Sequence, residues 1–270
     1  RPLSNYFPET VAIEEQRYPA IGALRDEMAA AGFSGIDVFN YFALGEYGAK
    51  DSGQATIHVV PVNVVGATTT LNLLALTAPE QIASTYAAFF GRAADAAGLD
   101  YWANQFSHDL PARGPAAAFT DVARAFGASA EAKALYPFLA NPSGSSDAQI
   151  AAFVSSVYDN LFDRAPDAAG SAYWVGQIKQ ALQAGQFADL VVVNIMSGAQ
   201  ETAATKDVTT LMSRVALSQE YVYQQEIHGT AWAGASDVAA ATTLLQSVTA
   251  DPNSLLIGVR NAEELIVNHA

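Results

Sequence analysis

Apolar residues recur at helical spacing in two stretches of the chain that lie 72 residues apart. The first apolar stripe consists of Ile82, Tyr86, Phe89 and Phe90. The second consists of Val154, Val157, Tyr158, Leu161 and Phe162. Such spacing places the side chains on one face of an α-helix. Pro79 suits the first turn of the earlier helix, and Ser146 or Asp147 suits the N-cap of the later one. We therefore predict a helix in each stretch.

A longer motif follows each of these predicted helices. Arg92-Ala-Ala-Asp-Ala-Ala-Gly-Leu-Asp-Tyr-Trp102 recurs as Arg164-Ala-Pro-Asp-Ala-Ala-Gly-Ser-Ala-Tyr-Trp174. A constant offset between matching positions means that one structural unit occurs twice. The residues shared by the two copies are Arg92, Asp95, Gly98, Tyr101, Trp102 and Gln105 in the first, and Arg164, Asp167, Gly170, Tyr173, Trp174 and Gln177 in the second. The pattern predicts two tandem helical repeats.

The polar residues of the motif suit a corner between two helices. Asp95 and Asp167 are favoured N-caps for the second helix of each copy. A cation such as Arg92 complements the negative end of the preceding helix. Glycine is costly inside a helix, so Gly98 and Gly170 indicate the close approach of another group. Arg92–Asp95, and likewise the arginine and aspartate of the second copy, are interpreted as local ion pairs.

The tyrosine–tryptophan pair of each copy allows two interpretations. Tyr101, Trp102 and Gln105, with their counterparts Tyr173, Trp174 and Gln177, could form a platform on which sugar rings stack. Alternatively, the two indoles fill the core of each repeat. Phe106 and Ile178 follow the tryptophans at helical core spacing, which favours the second interpretation. Both remain open, and the motif residues Arg92, Asp95, Gly98, Arg164, Asp167 and Gly170 are assigned structural roles.

At this motif the chain resembles a bacterial domain of unknown function related to phycobilisome linker polypeptides. The full pattern Arg-x-Pro-Asp-x-x-Gly-x-x-Tyr-Trp is present in the second copy, and the first departs from it at Ala94. A closing Ser-x-Glu feature is matched by Ser129-Ala-Glu131 and by Ser218-Gln-Glu220, whereas Gly198-Ala-Gln-Glu201 departs from it. The resemblance implies a helical, noncatalytic module of surface-layer or secreted adhesin-like proteins.

The segments before the repeats have a different pattern. Residues 1–51 are predicted to be helical, with one short helix ending at Gly32 and a second over Ile36–Leu44. Residues 52–77 are rich in β-branched residues and predict a hairpin or an extended connector, with Pro61 on an edge strand or at a bend.

The remaining boundaries follow from the repeats. Within 52–77, Thr68–Leu73 is a candidate return strand. Residues 78–206 form the predicted tandem repeat domain, and residues 207–270 are predicted to be C-terminal helices that pack on it. Because the chain begins with Arg1, we expect it to be processed or excised from a longer protein. The predicted fold class is mainly α, with flanking helices and a minor β segment.

Charge and composition restrict the partners. Of 270 residues, 13 are Lys or Arg and 27 are Asp or Glu, which gives a net charge of −14. Such a chain repels phosphate backbones, so nucleic acid is not an expected partner. Carboxylates attract Ca²⁺, which makes calcium a candidate ligand, whereas no other cofactor is indicated. The chain has no cysteine, which excludes disulfides and thiol chemistry, and its apolar runs are too short to span a membrane.

A search for catalytic motifs finds none of the common ones. The four histidines, His58, His108, His228 and His269, have no metal-ligand spacing. Neither a nucleophile elbow nor a phosphate-binding glycine loop is present. The sequence therefore favours a protein that is not an enzyme. We expect a bacterial cell-surface or extracellular module that mediates anchoring or assembly through cell-surface glycan, lipopolysaccharide or other surface-layer subunits. Alternatives are an intracellular linker-type scaffold and a hydrolase of polysaccharides.

Overall fold

The computed structural model describes most of the chain in two units, which divide between Val62 and Asn63. The residues that it describes are 35–44, 50–59, 62–65, 68–187, 190–202 and 204–268. Each unit is described by itself below.

The described part of the first unit is a two-stranded antiparallel hairpin. Strand β1 (Gly35–Leu44) pairs with β2 (Lys50–Val59), and Gly35 lies opposite Val59. The predicted helix over Ile36–Leu44 is therefore wrong. This stretch is rich in β-branched and aromatic residues, which favour strands, and the neighbouring strand β2 supplies partners for its backbone groups. The other helix predicted within residues 1–51 lies outside the described residues.

A small sheet belongs to the second unit. Strand β3 (Val62–Val65) neighbours β4 (Thr68–Leu71), which pairs antiparallel with the short β5 (Gln200–Glu201). The predicted return strand is confirmed as β4. Its partner β5 lies about 130 residues further along the chain, at the end of the second repeat, so the segment predicted as a connector is joined to the repeats by a strand ladder.

Helices form the rest of the described second unit. The first repeat contains α1 (Ala78–Phe90), α2 (Ala96–Arg113), α3 (Pro115–Ala128), α4 (Ala130–Leu135) and α5 (Pro137–Ala140). The second contains α6 (Asp147–Phe162), α7 (Ala168–Gln183) and α8 (Leu190–Ser197). They are followed by α9 (Asp207–His228), α10 (Ala235–Gln246) and α11 (Pro252–Val267). The predicted class, mainly α with two tandem helical repeats and a minor β segment, is confirmed.

The first helix of each repeat begins and ends in the same way. Thr77 with Glu80 and Ser146 with Gln149 form capping boxes, in which side chain and backbone satisfy each other's hydrogen bonds. Helix α1 ends at Gly91 with φ 63°, and α6 ends at the matching position with Asp163 at φ 56°. This left-handed conformation closes the helix and turns the chain toward the repeated motif.

The core of the second unit is built around α1, α6 and α9. Every residue of α1 from Glu80 through Phe89 is buried, which is typical of a helix surrounded by other elements. Helix α9 contacts both α1 and α6, so it contacts the first helix of each repeat. The C-terminal helices thus complete the core that the repeats begin.

Arg214 joins three parts of this core. It lies on α9 with 1% of its surface exposed. Its guanidinium donates to the carbonyl oxygens of Val248 at 2.9 Å and of Asp159 at 2.5 Å, and to the carboxylate of Asp163 at 3.4 Å. Burial lowers the pKa of Arg214, and these acceptors compensate part of the lost hydration. The C-terminal end of α6 is thereby held against α9.

The two repeats contact each other at matching positions. Asn160 on α6 aligns with Ala88 on α1, and its amide donates to the Ala88 carbonyl at 3.2 Å. The same amide donates to the Tyr136 hydroxyl at 2.9 Å. A Cβ at Gly91 would meet the Asn160 side-chain oxygen at 2.5 Å, so glycine provides the space for this contact. Ala88 and Gly91 of the first copy thus leave room for the larger Asn160 of the second.

Replacement of Asn160 tests this contact. We expect Asn160→Ala to lower the free energy of unfolding by about 2 kcal/mol, because the buried Tyr136 hydroxyl loses its partner. Chemical denaturation followed by circular dichroism measures the change. The matched control is Asn104→Ala at an exposed position of α2, for which we expect less than about 0.5 kcal/mol. Equal effects of the two substitutions would contradict the role assigned to Asn160.

Candidate functional site

The arginine of the first motif copy forms a bidentate ion pair with a distant carboxylate. Arg92 donates from Nε to Glu131 at 2.7 Å and from Nη2 to the other oxygen of the same carboxylate at 3.1 Å. Its Nη1 donates to the Ala93 carbonyl at 3.0 Å. Arg92 is 4% exposed. Burial alone would lower its pKa, but the hydrogen bond and charge of Glu131 outweigh burial, and the pKa is raised.

Aromatic rings surround the same guanidinium. Its central carbon lies 4.9 Å from the ring centre of Tyr86 and 5.4 Å from that of Phe90. Trp232, from the segment between α9 and α10, approaches it to 4.9 Å. Cations are attracted to aromatic faces, most strongly where water is excluded. The C-terminal segment therefore covers the corner of the first repeat.

The second copy repeats the ion pair in a more open setting. Arg164 donates from Nε and from Nη2 to the two oxygens of Asp207, both at 2.7 Å. Its guanidinium lies 5.2 Å from the ring centre of Tyr158 and 5.8 Å from that of Phe162. The hydrogen bond that Arg164 donates to Asp207 raises the pKa of Arg164. Its side chain is 40% exposed, whereas that of Asp207 is 4% exposed.

The local ion pair expected from the sequence is confirmed in the first copy and wrong in the second. Asp95 approaches Arg92 only to 3.5 Å, as a secondary partner. Among the described residues no ion pair joins Arg164 to Asp167. Both aspartates also cap helices, and the bidentate partners of the arginines are carboxylates at the start of later helices. Sequence spacing of three residues found the weaker partner of Arg92 and missed the main partner of both arginines, because a fold can bring distant residues closer.

A sequence signal for the true partners does exist. Glu131 belongs to the closing Ser-x-Glu feature of the first copy, where Ser129 caps α4. Asp207 stands in Thr205-Lys-Asp207, which has the same order of hydroxyl and carboxylate. Asp207 lies four residues beyond the position that matches Glu131 at the 72-residue offset. Ser218, the other candidate for this feature, instead lies buried within α9 and accepts a hydrogen bond from the Ala94 N–H at 2.9 Å.

The predicted caps are confirmed in both copies. The carboxylate of Asp95 accepts from the Gly98 N–H at 2.8 Å, and that of Asp167 accepts from the Gly170 N–H at 2.6 Å. The glycines differ in their surroundings. A Cβ on Gly98 would collide with the Tyr86 hydroxyl, whereas a Cβ on Gly170 would meet the capping carboxylate at 3.2 Å and Pro166 at an ordinary 3.9 Å. The close approach expected at both glycines occurs in the first copy.

The exposed part of each motif is the tyrosine–tryptophan pair, which we call the aromatic ledge: Tyr101 and Trp102 in the first copy, Tyr173 and Trp174 in the second. Tyr101 is 59% exposed and Tyr173 56% exposed. In each ledge the two rings meet edge to face, with centres 5.0 Å and 4.8 Å apart. Each ledge therefore presents a tyrosine that a neighbouring ring holds in place.

The tryptophans are only partly buried, so the interpretation that they fill the core needs correction. Trp102 lies 5.2 Å from the ring centre of Phe126, and Trp174 donates its indole N–H to the Tyr158 hydroxyl at 2.8 Å. The fully buried positions are those of Phe106 and Ile178, one turn later. Each indole thus lies between the core and the exposed tyrosine because its ring spans both environments.

The glutamines of the proposed platform lie beside the tyrosines. Gln105 follows Tyr101 by four residues and Gln177 follows Tyr173 by four, which places each on the same helix face as its tyrosine. Gln105 is exposed and Gln177 is partly exposed. Their amides can donate and accept hydrogen bonds beside the rings. The six residues that the sequence analysis named as candidates for ligand binding therefore form two groups of three, one on α2 and one on α7.

Within the described ranges, no group of three or more histidine or acidic side chains is arranged to hold a metal ion. No helix of the described residues combines the length and apolar character that crossing a bilayer requires.

Comparison with known proteins agrees with the repeat. A family model described as "Domain of unknown function (DUF4214)" matches residues 75–136 and again residues 138–204. Two adjacent stretches, together just under half of the chain, are therefore similar to this domain. No curated protein and no solved structure matches the chain. The first match spans α1–α4, and the second begins within α5 and spans α6–α8, so each match includes one arginine corner and one aromatic ledge.

Alanine at the two glycines tests the asymmetry between the copies. We expect Gly98→Ala to lower the free energy of unfolding by about 1–3 kcal/mol, because Tyr86 is packed among rings and has no room to move. Gly170→Ala should change it by less than about 1 kcal/mol, and a gain would reflect the helix preference for alanine. Thermal or urea denaturation of both variants measures the difference. Equal losses would contradict the assignment of a close contact to Gly98 alone.

Buried tyrosines predict a loss of stability at alkaline pH. Burial, assisted by the charge of Asp95, raises the pKa of Tyr86 above its ordinary value of 10.0, and burial likewise raises the pKa of Tyr136 and Tyr221. The unfolded chain ionises first, so stability is complete below about pH 10 and falls above it by up to about 1.4 kcal/mol per pH unit for each such tyrosine. Unfolding of the wild type between about pH 9 and pH 11.5 measures the slope.

Two phenylalanine variants separate the contribution of Tyr86. Tyr86→Phe should show a shallower decline in stability with pH than the wild type, because one of the protonation-linked groups is gone. Tyr101→Phe, at an exposed tyrosine, should retain the wild-type slope. The prediction fails if the two variants decline in parallel.

Proposed function

We propose that this chain is a noncatalytic recognition module of a bacterial cell-surface or secreted protein, and that its two aromatic ledges contact cell-surface glycan. The observation that carries the proposal is the duplicated exposure of Tyr101 and Tyr173 at the same place in both repeats. A single exposed aromatic residue needs no explanation. Here two exposed tyrosines occupy equivalent positions, and each lies beside a tryptophan and a glutamine. Together they form a repeated surface that suits a ligand with repeated units.

The ledge geometry matches the chemistry of a sugar ring. A pyranose offers an apolar face of C–H groups and a rim of hydroxyls. The exposed tyrosine ring offers an apolar face, while its hydroxyl and the amide of Gln105 or Gln177 offer hydrogen-bond donors and acceptors. Since the edge-to-face contact with the tryptophan already restricts the tyrosine, less conformational entropy is lost on binding.

Net charge favours some glycans over others. With a charge of −14, the chain repels anionic polymers at long range. Neutral sugars avoid this cost, which makes a neutral glycan chain the preferred ligand. Contact with the phosphate-bearing parts of lipopolysaccharide would need divalent cations between the two acidic partners, and Ca²⁺ would serve there as a bridge.

Two ledges on one chain also favour polymers. If each ledge binds one sugar unit weakly, a glycan long enough to reach both is held by two contacts, and the second contact forms within the complex. Weak individual sites suit a module that anchors a larger protein to a surface rich in repeated sugars. Contacts with other surface-layer subunits through the same ledges are an alternative partner class.

A glycan array with matched variants tests the proposal. The wild type should bind neutral polysaccharides saturably, and Tyr101→Ala combined with Tyr173→Ala should weaken binding by at least about tenfold, a loss of about 1.4 kcal/mol. Alanine is favourable in helices, so circular dichroism should show the fold retained. The control is Tyr223→Ala on α9, which removes a tyrosine of similar exposure, 53%, away from both ledges and should bind as the wild type does.

Other outcomes identify the rival functions. Release of reducing sugar from the bound polysaccharide would show a hydrolase. Absence of glycan binding, with binding to partner proteins that the double variant abolishes, would show a scaffold of the linker type. If the double variant still binds glycan as the wild type does, the ledges are not the glycan-binding site.

A further inference from the structure

Two basic side chains, Arg124 and Lys133, form no ion pair within the described residues. Six lysines and arginines lie within 4.0 Å of a carboxylate: Arg92, Arg113, Arg164, Lys179, Lys206 and Arg214. Arg124 and Lys133 have no such partner in the part of the chain that the structure describes. In a protein with twice as many acidic as basic residues, two unpaired cations are unexpected. Both line the same cavity.

That cavity, the junction groove, lies where the two repeats meet. It has a volume of about 340 Å³ and is bounded by α3 and α4 of the first repeat and by the C-terminal end of α7. Its lining is mostly apolar and includes Leu139, Pro142, Leu182 and Phe187. An apolar cleft of this size with a few convergent polar groups is typical of a ligand site.

Arg124 has two features that suit the binding of an anion. Its guanidinium lies 4.1 Å from the ring centre of Phe187, which is itself 52% exposed, so the cation is stacked rather than free to turn. Its Nε is buried and has no hydrogen-bond partner among the described residues. A buried donor without an acceptor is unfavourable, and a carboxylate oxygen would satisfy it.

The groove continues beyond these cations. A neighbouring cavity of about 280 Å³ shares Pro142 and Leu182 with it and extends past Ser145 to Lys179. The two cavities adjoin, and the unpaired cations line the first, whereas Lys179 of the second pairs with Asp147. An extended chain fills two adjoining cavities better than a compact molecule does, and the apolar lining suits alternate large side chains.

We propose that the junction groove binds an extended acidic peptide segment of a partner protein, in which a carboxylate stands next to a large apolar side chain. The carboxylate meets Arg124 and Lys133, and the apolar side chain packs on Leu139 and Leu182. The chain as a whole is acidic, so the attraction is local: Arg124 and Lys133 lie close enough within the groove to attract the carboxylate of the segment. This interaction is separate from glycan contact by the ledges and does not depend on it.

Fluorescence anisotropy with three labelled peptides tests the proposal. The probe is Gly-Glu-Leu-Phe-Glu-Gly, its uncharged twin is Gly-Gln-Leu-Phe-Gln-Gly, and its polar twin is Gly-Glu-Ser-Ser-Glu-Gly. We expect the probe to bind saturably and at least about tenfold more tightly than either twin. Binding should weaken with added salt because it includes an exposed ion pair.

Variants locate the binding. Lys133→Gln changes an exposed side chain and should weaken probe binding by about threefold to tenfold without affecting the fold. Arg124→Gln should weaken it further, since it removes both the charge and the stacked donor. Lys206→Gln removes an exposed lysine that pairs with Glu201 elsewhere on the surface and should bind as the wild type does.

Each remaining outcome overturns the proposal. Equal binding of the probe and its uncharged twin would show that charge has no part. Binding that Lys133→Gln and Arg124→Gln leave unchanged would place the peptide elsewhere. Preference of the groove for a carboxylated sugar, with the same sensitivity to Arg124→Gln, would assign it to acidic glycan, and self-association lost in these variants would assign it to a second copy of the chain.

Discussion

The ion pair between the arginine of each motif and a carboxylate at the start of a later helix is the constraint on which the described repeats depend. Arg92 reaches Glu131 and Arg164 reaches Asp207, in both cases with two parallel hydrogen bonds. Each pair joins the corner after the first helix to the helix that closes the unit. A buried charge is stable only if its donors are satisfied, so the position of this corner relative to the closing helix is narrowly determined.

The two copies share the same arginine–carboxylate pair and aromatic ledge, but the surroundings of these features differ. Arg92 is covered by Trp232 and is almost fully buried, whereas Arg164 remains partly open to solvent. The Tyr86 hydroxyl lies over Gly98, whereas that of Tyr158 accepts from the indole of Trp174. These differences arise because α9 and the segment after it pack against the first copy in a way that the second copy does not experience. The two aromatic ledges are therefore related in sequence but are not identical surfaces.

The same packing separates the surfaces that we propose for recognition. The ledges lie on the exposed sides of α2 and α7, the second helices of the repeats, while the junction groove lies where the repeats meet. Duplication thus produces two kinds of surface: one that each unit carries by itself, and one that exists only because two units are adjacent. The second kind of surface cannot be recognised in the sequence of either copy alone, since its residues come from different positions of the repeat.

The sequence by itself determined the helical class, the two repeats, their capping residues and the placing of the motif at a helix corner, because these follow from local spacing and from a 72-residue period. It misassigned Ile36–Leu44, where pairing with the next strand along the chain outweighs a weak helical pattern. Only the tertiary structure decided which carboxylate each arginine meets, how far the indoles are buried and where Arg124 and Lys133 come together. Those outcomes depend on contacts between residues far apart in the chain, which local spacing does not encode.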